Sequence, residues 1–167
     1  MRTLWIIAFT LLMHSAHAAN AKFEFLKTIT VQELNTILNQ EREGFLKASP
    51  PDASYALPPV SQARNDVDLY TVAYDSVVPE QGRKVVRTTG LLALPKTASK
   101  GPLPLMSYQH GTVFGKYEVP SFAFKASNPS GLPHYEGAYE TRYMVALYAG
   151  NGMAMMAADY FGMGGNA

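Results

Sequence analysis

Two short, unbroken apolar runs constrain what this chain can fold into more than any other feature. Leu103-Pro104-Leu105-Met106-Ser107-Tyr108 and Met153-Ala154-Met155-Met156-Ala157-Ala158 are six residues each. They are too short for buried helices and lack the polar alternation of a strand with one wet face, so strands buried on both faces are expected. Pro104 favours the start of its strand, because it has no amide to donate to a ladder. Between the runs, Tyr139, Tyr143, Leu147 and Tyr148, with Met144 and Ala146, fit a helix that Gly150-Asn151-Gly152 would stop. Strand, helix and strand in that order make a parallel crossover.

Upstream, Val67, Leu69, Thr71 and Ala73 alternate with Asp68, Tyr70, Val72 and Tyr74, a strand period rich in β-branched and aromatic residues. Pro79-Glu80-Gln81-Gly82 turns the chain, and Lys84 to Leu94 returns as the second arm of an antiparallel hairpin ended by Pro95. Before the hairpin, Thr30-Val31-Gln32-Glu33 fits a capping box, and a helix is expected over 31–46 with Val31, Leu34, Ile37, Leu38 and Phe45 on one face. Ser49-Pro50-Pro51-Asp52 and Leu57-Pro58-Pro59 then read as an extended connection. The fold class expected is α/β: a sheet that opens with an antiparallel hairpin and continues with parallel strands.

The first residues read as an address. Arg2 precedes an apolar stretch, Leu4 to Met13, and Ala16-His17-Ala18 supplies a small-x-small cleavage pattern. A signal peptide over 1–18 and export to the periplasm or beyond are expected. That stretch falls well short of the ~20 residues that span a bilayer, so no stable membrane anchor is expected. Losing Arg2 leaves 13 basic residues against 13 acidic, with no electrostatic footprint for nucleic acid. The absence of cysteine removes disulfides, thiolate metal sites and a cysteine nucleophile together. At 167 residues the chain has material for one core.

Chemistry is expected where the two buried strands end, the rim on which open α/β sheets place ligands. One loop there is Gln109-His110-Gly111-Thr112, where a glycine after a strand lets neighbouring amides turn into a cleft and meet developing negative charge. The other is Asp159-Tyr160-Phe161-Gly162-Met163-Gly164-Gly165. Its glycines are not in a G-x-G-x-x-G or G-K-[ST] order, so no nucleotide cofactor is expected. His110 and His134 lack metal-ligand spacing, and no metal is expected. Residues 112–136 hold three prolines and no sustained period, which reads as a surface excursion.

In their order and spacing, Tyr74-Asp75-Ser76, Gly82, Gly90, Pro95, Ser107-Tyr108-Gln109-His110-Gly111-Thr112 and Asp159-Tyr160-x-Gly162-x-Gly164 resemble the α/β-hydrolase superfamily. More narrowly they are similar to secreted lipases and esterases of the secretory lipase type. The resemblance implies that His110, Gly111 and Thr112 shape an oxyanion hole, with Thr112 the foremost backbone donor. It also implies that the Asp159, Tyr160, Gly162, Gly164 turn supports that hole, with Asp159 a hydrogen-bond partner rather than a triad acid. On this reading 19–65 is an amino-terminal helix and connection, and 66–167 the first half of an α/β-hydrolase domain.

A nucleophile elbow needs G-x-S-x-G, and the one glycine pair at that spacing, Gly111 and Gly115, encloses Val113. The family's order of serine, acid and histidine would place all three after Ala167. Nor does spacing favour pairing His110 with Ser107, Ser121, Ser127 or Ser130, and a pair without a third orienting group is a poor catalyst. The expected function is therefore that of the amino-terminal fragment of an exported serine hydrolase. Its substrate would be a small-molecule or lipid ester, with no catalytic residue inside the fragment. A peptidase on the same scaffold and a non-enzymatic binding module using the aromatic loop 112–136 are the alternatives.

Overall fold

The computed structural model describes residues 21–48, 61–97, 101–113, 115–125 and 136–165. The expected signal peptide, most of the proline-rich connection, Ser127, Ser130 and His134 lie outside them. In chain order the elements are β1 (Lys22–Ile29), α1 (Val31–Ala48), β2 (Val67–Val78), β3 (Lys84–Pro95), β4 (Leu105–Tyr108), α2 (Glu136–Tyr148) and β5 (Ala154–Ala158). Short 3₁₀ turns stand at 79–81, 120–122 and 149–151. The strands form one sheet in the order β1-β2-β3-β5-β4. It is a mixed sheet: β4 and β5 pair in parallel, and the other neighbours are antiparallel.

Strand β1 was not expected. Phe23 and Phe25 do alternate, but both are exposed, and a bulge between Phe25 and Lys27 breaks the period, so no clean alternation survives in the sequence. The strand pairs antiparallel with β2, and Phe25 meets Tyr70 edge-on with ring centroids 5.6 Å apart.

Helix α1 begins where its capping box predicts. The Thr30 amide donates to the Glu33 carboxylate at 2.8 Å and the Glu33 amide donates to Thr30 Oγ1 at 3.2 Å, while Asp66 Oδ1 accepts from the Val31 amide. These bonds to Thr30 hold the Glu33 carboxyl below the ordinary glutamate range. The hairpin β2–β3 keeps an unbroken register from Val67 opposite Pro95 to Val78 opposite Lys84.

One face of the sheet carries the core. Val67, Leu69, Leu91, Ala93, Met155, Ala157 and Tyr108 are buried there against Leu34 and Leu38 of α1 and Val145, Ala146 and Ala149 of α2. Register explains the selection, since Ala93 stands opposite Leu69 and Met155, and Tyr108 opposite Ala157. Strand β5 presses so closely on β3 that a Cβ at Gly90 would lie 2.6 Å from the Ala157 carbonyl oxygen, and only glycine fits.

Two expectations need correction. The first apolar run is not buried on both faces: β4 is the edge strand, and Leu105 is 67% exposed, because both helices of the core pack on the opposite face. Nor is the start of the 112–136 segment a surface excursion. Val119, Pro120, Ser121, Phe122, Ala123 and Phe124 are buried, and Ala123 and Phe124 join the core. Arg142 of α2 fastens this stretch by donating from Nε to the Ala123 carbonyl at 2.6 Å. Local periodicity is blind to it, because irregular backbone buried by tertiary contacts has no repeat to read.

Candidate functional site

Parallel pairing of β4 with β5, Tyr108 beside Ala157, makes the loops after them leave the sheet side by side on one rim. The 109–112 loop and the 159–165 turn are thus brought together, and Tyr160 joins them. Its ring stacks on the His110 imidazole at 4.0 Å between centroids, inclined by 27°. Its hydroxyl donates to the His110 carbonyl.

His110 is buried, at 2% exposure, and its Nδ1 lies 2.7 Å from the Gly111 carbonyl oxygen. A carbonyl only accepts, so Nδ1 carries the proton, and in the neutral ring Nε2 is then a bare acceptor. That atom is buried with no hydrogen-bond partner among the described residues. Gly111 and Thr112 are exposed, and neither amide donates a hydrogen bond among the described residues. Positive φ is not what requires glycine at 111, for the left-handed glycines are 82, 152, 162 and 164. Among the described residues beyond its chain neighbours, a Cβ at 111 would meet only Glu140 Oε2 of α2, at 3.7 Å. Beside this loop, burial first and then the adjacent Glu140 carboxylate push the Tyr108 phenol up. Glu140 does not complete a hydrogen bond to that hydroxyl.

Asp159 anchors the second loop from within. Its carboxylate, 3% exposed, accepts from the Ser121 amide at 3.0 Å, Ser121 Oγ at 2.6 Å and Thr89 Oγ1 at 2.5 Å, and its amide donates to the Thr89 carbonyl. Three donors converging on one carboxylate satisfy it in a buried place. They tie β3, the 120–122 turn and the end of β5 together. Burial, with Asp159 nearby, pushes the Tyr74 phenol up. The turn then reverses with Met163 N donating to the Tyr160 carbonyl and Gly162 at φ +79°, the position a type II turn reserves for glycine. Gly164, at φ +67°, passes so close that a Cβ would collide with the Asp159 carboxylate.

Of the serines weighed against His110, the two among the described residues are engaged with other partners. Ser121 is committed to Asp159, and Ser107 accepts from Gln109 Nε2 at 3.2 Å. No carboxylate orients the imidazole among the described residues. No group of three or more His, Asp or Glu side chains gathers there as a metal site would require. No helix among the described residues is long and apolar enough to cross a membrane. Thr89, Ser121 and Glu140 escaped sequence reasoning. The sequence offers Ser121 only as a candidate nucleophile, and nothing around Thr89 or Glu140 marks them.

No protein-family model matches the chain, and no curated protein matches it. Solved structures do. A Legionella pneumophila protein assigned as a hydrolase matches at 23% identity and a TM-score of 0.59, over 87% of this chain and 31% of that one. The rice cell wall degrading esterase LipA from Xanthomonas oryzae matches at 20% identity and a TM-score of 0.54, over 87% of this chain and 29% of its own. A point variant of that esterase matches at 19% and 0.55, over 87% and 30%. The chain spans about a third of the length of these neighbours. At such identities the likeness is one of fold: this sheet, with its helices, is part of an α/β-hydrolase-like fold.

Proposed function

We propose that the chain is the amino-terminal part of an exported serine hydrolase that cleaves carboxylic esters, of acyl or lipid type. It supplies one wall of the reaction cleft. One observation carries the reading: the 109–112 loop and the Asp159 turn share a rim and are bridged by Tyr160, leaving two backbone amides without acceptors at the end of a strand. Amides held in this way suit a tetrahedral oxyanion, which costs least when its donors are already in place. The fold likeness to a hydrolase and an esterase about three times as long supports the same reading.

In this mechanism a serine outside the sequence attacks the ester carbonyl, and the Gly111 and Thr112 amides receive the negative charge that develops on its oxygen. Asp159 holds the opposite loop in place through Ser121 and Thr89 and exchanges no proton with substrate.

The test is to read the coding frame past Ala167 for G-x-S-x-G followed by an acid and a histidine. The full-length product is then assayed on p-nitrophenyl esters of graded chain length. Ester turnover abolished by replacing the elbow serine is the expected result. An intact gene that stops directly after Ala167 would overturn the reading.

A further inference from the structure

The geometry points to Tyr160 as a positioning residue that aims two successive amides, those of Gly111 and Thr112, through a clamp with two arms. The peptide units here are planar and trans, and in such a unit the carbonyl of one residue and the amide of the next point in opposite directions. The first arm is the Tyr160 hydroxyl on the His110 carbonyl, which fixes the His110–Gly111 plane and turns Gly111 N–H away from the phenol. The second arm is indirect. Tyr160 stacks on the imidazole, the imidazole holds the Gly111 carbonyl at 2.7 Å, and the Gly111–Thr112 plane is fixed with Thr112 N–H turned away from the ring. Nε2 makes no hydrogen bond among the described residues, so the stack and the Nδ1 bond together set the ring's orientation.

The clamp is needed because both planes adjoin Gly111, whose backbone has the widest torsional freedom of any residue. On the side where a Cβ would stand, among the described residues beyond its chain neighbours, only Glu140 Oε2 lies within 4 Å. Left alone, two such planes would librate, and an amide that must reorganise as charge develops gives up most of its stabilising effect. The catalytic use of the clamp rests on the esterase reading above. The clamp itself does not.

The experiment separates the two. In the full-length gene product labelled with ¹⁵N-glycine and ¹⁵N-threonine, residual dipolar couplings report the orientation and order of individual N–H vectors. In the wild type the Gly111 and Thr112 couplings should fit the alignment of the sheet. Tyr160→Phe, which keeps the ring and loses the hydroxyl, should average the Gly111 coupling and spare that of Thr112. Tyr160→Leu should average both. Should the leucine variant fail to fold, the phenylalanine variant decides by itself. On esters, Tyr160→Phe should lower kcat about tenfold, the equivalent of one hydrogen bond, with KM within about twofold and the folded circular dichroism spectrum retained. A Gly111 coupling indifferent to Tyr160→Phe overturns the clamp. Couplings that respond as described in a protein without ester turnover would uphold the clamp and remove the esterase reading.

Discussion

Replacing Asp159 tests whether the turn after β5 is held by hydrogen bonds to one carboxylate. Three donors point at it, and two of them, the amide and hydroxyl of Ser121, belong to a residue only 1% exposed. Asp159→Ala leaves both without an acceptor, at about 1–3 kcal/mol each. Thr89 is half-buried and can turn its hydroxyl toward water, so it adds little. The expected loss is therefore about 2–6 kcal/mol, a large fraction of the stability of a domain. Asp159→Asn behaves differently. Its oxygen can face the Ser121 amide while its NH₂ donates to the two hydroxyls, which reverse their roles. Only the charge-assisted part of the bonding is lost, about 1–2 kcal/mol. Urea unfolding of the protein, followed by circular dichroism and compared at constant m, measures both. A loss below about 1 kcal/mol for the alanine variant, or equal losses for the two, would refute the carboxylate as the organising acceptor.

Gly90→Ala should destabilise by about 1–3 kcal/mol in the same assay, because its Cβ would meet the backbone of β5 rather than a yielding side chain; a neutral result would show that β3 and β5 can separate freely. Arg83 sits at φ +62°, where a side chain costs about 1–2 kcal/mol. Arg83→Gly should raise stability by roughly 0.5 kcal/mol once the glycine's entropy is counted, and a lowered denaturation midpoint would contradict it. Thr30→Ala should cost about 1 kcal/mol as a lost cap. The Glu33 carboxyl is depressed by its bonds to the Thr30 amide first and then its hydroxyl, so the part of the cap that those bonds supply is full above the ordinary glutamate range and lost as pH falls through the lowered folded value. Thr30→Ala keeps the amide of residue 30 and loses the hydroxyl's bond to the carboxylate, so its gap from wild type should narrow under acid without closing, and a gap that is constant with pH would rule the linkage out.

What can be read from this sequence is what repeats locally or punctuates the chain. The Thr30–Glu33 box starts α1. Alternation and Pro95 delimit the hairpin, and glycines mark the two rim loops, because each of these signals depends on residues within a few positions of one another. Even there the edges drift: the helices begin or end two to three residues beyond their expected bounds, with α1 reaching Ala48 and α2 starting at Glu136. Three decisions needed the tertiary structure. The insertion of β5 between β3 and β4 is a choice of neighbours that an apolar run leaves open. The burial of 118–124 follows from packing against the core and from Arg142. The anchoring of Asp159 joins residues 38 and 70 positions away, and Tyr160 reaches His110 across 50. Hydrogen bonds and stacking act over a few ångströms in space and carry no trace of sequence separation. The partners that shape this rim are therefore visible only once the sheet has brought them together.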